Sequence, residues 1–272
     1  RYKPTQLNIN NVVDISAGSN HVLLLTKDGK AVFLCDNNSY ALLRVYINEN
    51  IPIKIEDIFY MLDYNDTIKP NNIIGRMNWA NLWSSKVDYF EYHIGHLIKK
   101  YPYIYKTIDY YLGLAENAIS YVKDIKTPAS LISICHRRIG VTSTLFDLYN
   151  PFNLVIDYKV RDVAEYIKSV FFYGENSCVE GVVNSENMIV DKCNIILERI
   201  FKKYIFDNEA LKLLFARLLF PSYYFDLYEN ILEMDLNENI ILNIIKKSTS
   251  YEKFLYFLMQ NWSLYKIEWL VK

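Results

Sequence analysis

The chain has 272 residues, 51% of them hydrophobic, with a formal net charge of −1 and a pI near 6.5. That is enough chain and enough apolar side chain to bury a core in one large domain or two small ones without covalent staples. The near-zero charge excludes an overall basic field for nucleic acid or anionic membrane, and no apolar run approaches the ~20 residues of a membrane-spanning helix. The four cysteines, Cys35, Cys135, Cys178 and Cys193, are dispersed without CxxC spacing. This argues against a zinc site or a disulfide framework and for a reducing compartment. Tyrosine is abundant at 24 residues and glycine scarce at 8. With frequent Asn, Ile and Lys, this composition points to an AT-rich, low-GC genome, so that much of the tyrosine reflects codon bias. No signal peptide is visible, but the chain opens on Arg1 rather than Met, which leaves upstream residues and targeting open.

Residues 1–68 read as a β-rich piece. Val12–Ile15 and Asn20–Leu25 are strand-like, Lys27-Asp28-Gly29-Lys30 is a hairpin turn with Gly29 at positive φ, and Ala31–Leu34 returns. Asp36–Ser39 forms a second turn before a strand at Tyr40–Tyr46, completing a meander of about four strands. Ile55–Tyr64 reads as a short helix or linker, and Thr67–Asn72, with Pro70, punctuates the boundary. Residues 69–272 form a second, mainly helical piece. Its apolar period predicts helices over Ile73–Lys100, Tyr105–Val122, Asp162–Phe172, Val190–Tyr204, Ala210–Phe220, Ser222–Met234, Asn237–Lys247 and Tyr251–Lys272. Asp207-Asn208-Glu209 starts one of these helices, and Pro221 separates it from the next.

A β insert interrupts the helices. The apolar run Leu131–Cys135 reads as a buried strand that delivers His136-Arg137-Arg138. A second run, Leu154-Val155-Ile156, ends at Asp157, and Arg161-Asp162 then opens a helix. Many folds build a phosphate or metal site from strands ending in polar residues and an acid at a helix start. Ordinary α+β proteins carry the same pattern. His93 and His96 stand at i, i+3, but no Glu or third His accompanies them as in HExxH, so they read as surface histidines. Cys135 and His136 are adjacent on a strand and face opposite ways, so they do not form a nucleophile–base dyad. A strand-rich piece followed by a helical one gives an α+β fold with the plan of a protein kinase.

Two resemblances add to this reading. Val13 to Val32, with Ala17-Gly18, His21 and Thr26 to Gly29, resembles one hairpin of the regulator of chromosome condensation repeat. Such repeats build β-propellers, which need several blades, and the helical remainder cannot supply them. The alternatives are an upstream propeller, a chance hairpin, or the nucleotide-loop hairpin of a kinase-type lobe, with Gly18-Ser19-Asn20 at the turn. A longer resemblance runs through Asn72–Val87 (NIIGRMNWANLWSSKV), Asp109–Val122 (DYYLGLAENAISYV), Ile134–Ile139 (ICHRRI), Asn153–Ile167 (NLVIDYKVRDVAEYI) and Phe215–Phe225 (FARLLFPSYYF). In that order these blocks resemble the YutH branch of the CotS-type bacterial spore coat proteins, over residues 70 to 270. That family is similar to the aminoglycoside and choline phosphotransferases, which implies a protein-kinase-like fold with a truncated β-rich amino-terminal lobe.

The resemblance implies a site and lets it be tested. Such phosphotransferases carry a His-Gly-Asp catalytic loop and, about five residues on, an Asn that holds magnesium; the Asp accepts the substrate proton. Here His136 matches the His, Arg137 stands at the Gly, Arg138 at the Asp and Ser143 near the Asn. Arginine cannot act as a base at neutral pH. Asp157 matches the second metal contact, and Asp162 the acid that braces the loop. Arg44 is the nearest candidate for a phosphate-binding cation, in place of a lysine. The expectation is therefore a degenerate loop in which Arg137, Arg138, Asp157 and Asp162 form an ion-pair network, with Arg161 beside Asp162 in it; a role in binding phosphate is the lesser alternative. The resemblance then implies a pseudokinase of the spore coat: non-catalytic, requiring no cofactor, made in the mother-cell cytoplasm during sporulation and packed against other coat proteins through a tyrosine-rich surface. The alternatives are a working small-molecule phosphotransferase that binds Mg-ATP through Asp157, and a propeller fragment or fusion.

Overall fold

The computed structural model describes residues 10–17, 21–27, 30–35, 40–44, 51–64, 75–97, 100–123, 125, 131–174, 185–264, 267 and 270. The chain divides into two compact units, Arg1–Ile53 with Thr142–Leu154, and Lys54–Val141 with Val155–Lys272.

The smaller unit holds β1 (Val12–Ala17), β2 (His21–Thr26), β3 (Lys30–Cys35) and β4 (Tyr40–Arg44). They form one antiparallel meander in sequence order. Leu24 lies opposite both Ile15 and Val32 and is buried, whereas Val13 and Ile15 on the edge strand are exposed. Residues 18–20, 28–29 and 36–39, where turns are expected, including the Gly18-Ser19-Asn20 loop and the positive φ of Gly29, lie outside the described residues. The same unit includes a short helix, α4 (Leu145–Tyr149). The Asp147 carboxylate starts it by accepting from the Thr144 N–H at 2.8 Å, three residues back. An extended segment joins this piece: Ile53 N–H donates to Ser143 O, and Leu145 N–H to Ile51 O.

The larger unit contains α1 (Ile55–Tyr64), α2 (Trp79–Leu97), α3 (Pro102–Lys123), the strands β5 (Ile132–His136) and β6 (Leu154–Tyr158), and then α5 (Val160–Tyr173), α6 (Ser185–Lys203), α7 (Asn208–Leu219), α8 (Ser222–Met234) and α9 (Leu242–Asn261). Helix α5 sits at the centre and packs on α6, α7, α8, α9 and β5. Its Val160, Val163, Ala164, Ile167, Val170 and Phe171 are buried, but so are Arg161, Asp162 and Lys168. Helix α7 begins where Asp207 accepts from Ala210 N–H at 2.8 Å and ends at Phe220-Pro221, since proline cannot continue the ladder. Helix α8 stops at Asp235, which adopts a left-handed φ of 50°.

Two sequence expectations change. The separate helices at Asn237–Lys247 and Tyr251–Lys272 are instead a short 3-10 turn at Glu238–Ile241 followed by α9, unbroken from Leu242 to Asn261. The polar run Ser248-Thr249-Ser250 does not break α9. Ser248 Oγ donates back to Ile244 O at 3.1 Å and lies 2.7 Å from Tyr111 Oη. The tyrosine-rich surface is also only part of the story. Tyr111, Tyr223, Tyr224, Tyr228 and Tyr251 are buried, with Tyr111 stacked on Tyr224 and Tyr223 stacked on Phe172. Exposed tyrosines such as Tyr89, Tyr92, Tyr103 and Tyr105 lie on α2 and α3.

Candidate functional site

Strands β5 and β6 pair in a two-stranded sheet. They end at His136 and Tyr158, and α5 starts two residues later. That topology brings His136, Asp157, Arg161 and Asp162 together inside the larger unit, all nearly inaccessible. The Asp162 carboxylate spans the start of the His136-Arg137-Arg138 loop. One oxygen accepts from the His136 backbone N–H at 2.9 Å, and the other lies 2.6 Å from His136 Nδ1. This fixes Nδ1 as the protonated nitrogen, because a carboxylate can only accept. Cys135 takes no part: its Sγ donates to Tyr158 O, and burial pushes its thiol well above the usual range.

Asp157 is committed on both oxygens. Oδ2 lies 2.5 Å from Arg161 Nη1, while Oδ1 accepts from Trp79 Nε1 and from the Tyr158 backbone N–H, each at 2.8 Å. Arg161 in turn holds the loop, donating from Nε to His136 O at 2.8 Å and from Nη2 to Arg137 O at 3.3 Å. Burial works against the Arg161 charge, but Asp157 and Glu165 outweigh it and hold the guanidinium protonated, above its ordinary value. Burial raises the Asp157 carboxyl, and Arg161 and Arg217 oppose that rise.

The remaining expected residues lie elsewhere. Arg138, which the family resemblance sets where related phosphotransferases have the base, is exposed and donates to Asp226 Oδ1 at 3.0 Å and to Arg137 O at 3.2 Å. Ser143 belongs to the smaller unit, where its carbonyl accepts from Ile53. Arg44 closes β4 in that unit, and its side chain lies outside the described residues. On α2, His93 packs edge-on against Tyr89 and Tyr92, and the side chain of His96 lies outside the described residues.

Residues 15–258 match the family described as "Spore coat putative kinase YutH". The chain belongs to this spore coat family. A relative, the endospore coat-associated protein YutH of Bacillus subtilis (strain 168), is 27% identical over 228 residues, which covers 77% of this chain and 63% of the relative. The chain therefore spans less than two thirds of that relative's length. Among solved structures, an aminoglycoside phosphotransferase from Alicyclobacillus acidocaldarius subsp. acidocaldarius DSM 446 superposes with a TM-score of 0.58 at 9% identity, over 97% of this chain and 98% of that one. The YutH-type chain thus has the α+β, protein-kinase-like fold, with the β meander included in the match.

Three parts of this YutH-type site escaped the sequence. Trp79, 78 residues before Asp157, supplies a buried indole N–H to it. Arg76 N–H donates to Ile156 O at 2.8 Å, beside the Gly75–Ile156 parallel bridge. Both lie in the block Asn72–Val87 that carries the family resemblance, which was the available signal. Behind them sits a buried ion cluster of Glu165, Lys168 and Arg217. Lys168 Nζ donates to Glu165 Oε1 at 2.8 Å, Ser222 Oγ at 2.6 Å and Arg217 O at 3.0 Å, and Arg217 Nε lies 2.6 Å from Glu165 Oε1. The Arg217 guanidinium also stands 5.2 Å over the Trp79 ring.

Proposed function

We propose that this chain is a non-catalytic, kinase-fold structural and interaction protein of the bacterial spore coat. One observation carries the reading: both oxygens of Asp157 are occupied by protein donors, and its charge is matched by Arg161. Phosphoryl transfer on this fold needs metal-held phosphates and an acceptor for the substrate proton. Magnesium takes oxygen ligands in a demanding octahedral geometry. A carboxylate already engaged by a guanidinium, an indole and an amide is a poor ligand for it, and Arg138 offers no base. The donor set therefore does not suit Mg-ATP, and the ion pairs read as bracing for the loop.

Membership of a spore coat family supports assembly on the coat beside other coat proteins, with synthesis in the mother-cell cytoplasm during sporulation. No helix among the described residues is long and apolar enough to cross a membrane. Exposed Tyr89, Tyr92, Tyr103 and Tyr105 offer contact area at low entropic cost.

Thermal unfolding with millimolar ATP or ADP, with and without magnesium, tests the reading. A native-state ligand at ~100 times its Kd adds about 2.7 kcal/mol, an easily read shift in Tm. No magnesium-dependent shift is expected. A magnesium-dependent shift that disappears in Asp157→Ala would overturn the reading in favour of a working phosphotransferase.

A further inference from the structure

The two loop arginines, which stand where the related phosphotransferases have Gly and Asp, are not alone. Arg76 is seated beside Asp157 by its backbone bond to Ile156. Its guanidinium is held below the usual range, first by burial and then by Arg161, Arg137 and Arg138, with Asp157 opposing. Four guanidinium groups thus share one end of the β5–β6 sheet.

The neighbouring acids are already engaged. Asp157 serves Arg161 and Trp79, Asp162 serves His136, and Asp226 is shared between Arg138 and Lys86. Among the described residues, no carboxylate hydrogen-bonds the guanidinium of Arg76 or Arg137. The Nε of Arg137 is buried without a hydrogen-bond partner. Folded proteins seldom leave a buried donor unsatisfied, and like charges held close together repel one another. One added anion would answer both problems.

We propose that Arg76 and Arg137, with Arg138 at the rim, form a metal-free binding site for a phosphoryl dianion. The proposal rests on the reading above, in which Asp157 is committed to Arg161 and holds no magnesium. Arginine suits this ligand because its planar fork matches phosphate oxygens and it stays charged at any physiological pH. The logic is the reverse of that in a phosphotransferase. There magnesium carries the phosphates; here it would neutralise the charge that the arginines read, so added magnesium weakens binding. Inorganic phosphate, a nucleotide's phosphates and a phosphorylated side chain share the chemistry.

The test is titration of the whole chain, by calorimetry and by Tm, with inorganic phosphate, pyrophosphate, ATP in EDTA, ATP with excess magnesium, and a phosphoserine peptide beside its unphosphorylated form. Sodium chloride at matched ionic strength is the blank. The expected result is saturable binding that raises Tm by about 5 °C at ~100 times the Kd, weakens with magnesium, and falls about tenfold to a hundredfold in Arg76→Gln and Arg137→Gln. Arg199→Gln, at a surface pair with Glu56, should bind as the parent does. Circular dichroism of each variant confirms folding, and Arg76→Gln breaks no side-chain ion pair among the described residues. A peptide that binds more tightly than inorganic phosphate identifies the source as a phosphorylated partner, and equal affinity points to the free ion. No saturable binding of any phosphate form, or binding that both variants leave within about twofold, overturns the site alone. Binding of ATP that requires magnesium and is lost in Asp157→Ala overturns the site and the non-catalytic reading together.

Discussion

Asp157 and Arg161 decide what the loop can do, and their pairing makes a prediction about stability. Removing one member of a buried ion pair strands the other, at a cost of about 3–5 kcal/mol. Asp157→Ala should therefore lower the urea midpoint sharply, because Arg161 loses its counter-ion and Trp79 its acceptor. The double change Asp157→Leu with Arg161→Met should recover part of that loss, since it leaves no stranded charge, while Trp79 and the two loop carbonyls still lose their partners. A carboxylate kept free for magnesium would behave oppositely: its removal would cost binding and leave the urea midpoint unchanged or higher. The sequence made His136, Asp157, Arg161 and Asp162 legible, because they follow apolar strands and open a helix. It could not reveal Trp79, because an indole 78 residues away gives no local signal of its partner.

At the scale of elements, α5, α7 and α8 meet around a buried ammonium. Lys168 reaches the carbonyls of Arg217 and Phe220 at the end of α7 and the first residue of α8, Ser222, so one cation ties three helices where Pro221 breaks the chain. A cation at a helix carboxy terminus is favourably placed. Burial nevertheless brings Lys168 down to about 8, although Glu165 pulls the other way. Below pH 8 both folded and unfolded states carry the proton, and the burial cost is fully present. Between about 8 and 10.5 the folded state has released the proton while the unfolded state keeps it. Unfolding then takes up a proton, and rising pH favours the folded state. Guanidinium melts should show the parent gaining about 2 kcal/mol over Lys168→Met between pH 8 and pH 10. A constant gap would mean that the lysine keeps its proton. Sequence period located α5, α7 and α8 and the break at Pro221. It had no means of showing that Lys168 points inward, because a charged residue in a helical pattern is usually solvated. The apolar period also left a break between Lys247 and Tyr251, where a Ser248 hydroxyl bonded to its own helix in fact continues it.

For the whole molecule, fold and family were both readable early. Five blocks in order carried the family, and the switch from strand to helix period carried the architecture. The destination of the tyrosines was not readable, because composition records how many rings there are and packing decides which go inside. Those buried rings join the aromatic core. Trp79 stacks on Trp83, Trp83 on Phe220, and Phe90 on Phe225.

The bond between Trp79 Nε1 and Asp157 also makes the site self-reporting. A buried indole held against a carboxylate, with Arg217 over its ring, emits light whose wavelength depends on the local electric field. An anion bound at Arg76 and Arg137, beside Asp157 and Arg161, would change that field at Trp79 and at Trp83, which stacks on it. Emission spectra taken during phosphate titration should therefore shift in the parent and lose part of that shift in Trp79→Phe, while Trp262, which follows α9 and packs edge-on against Phe201 of α6, does not contribute to it. The His136-Arg137-Arg138 loop thus carries a built-in optical probe of its own electrostatic state.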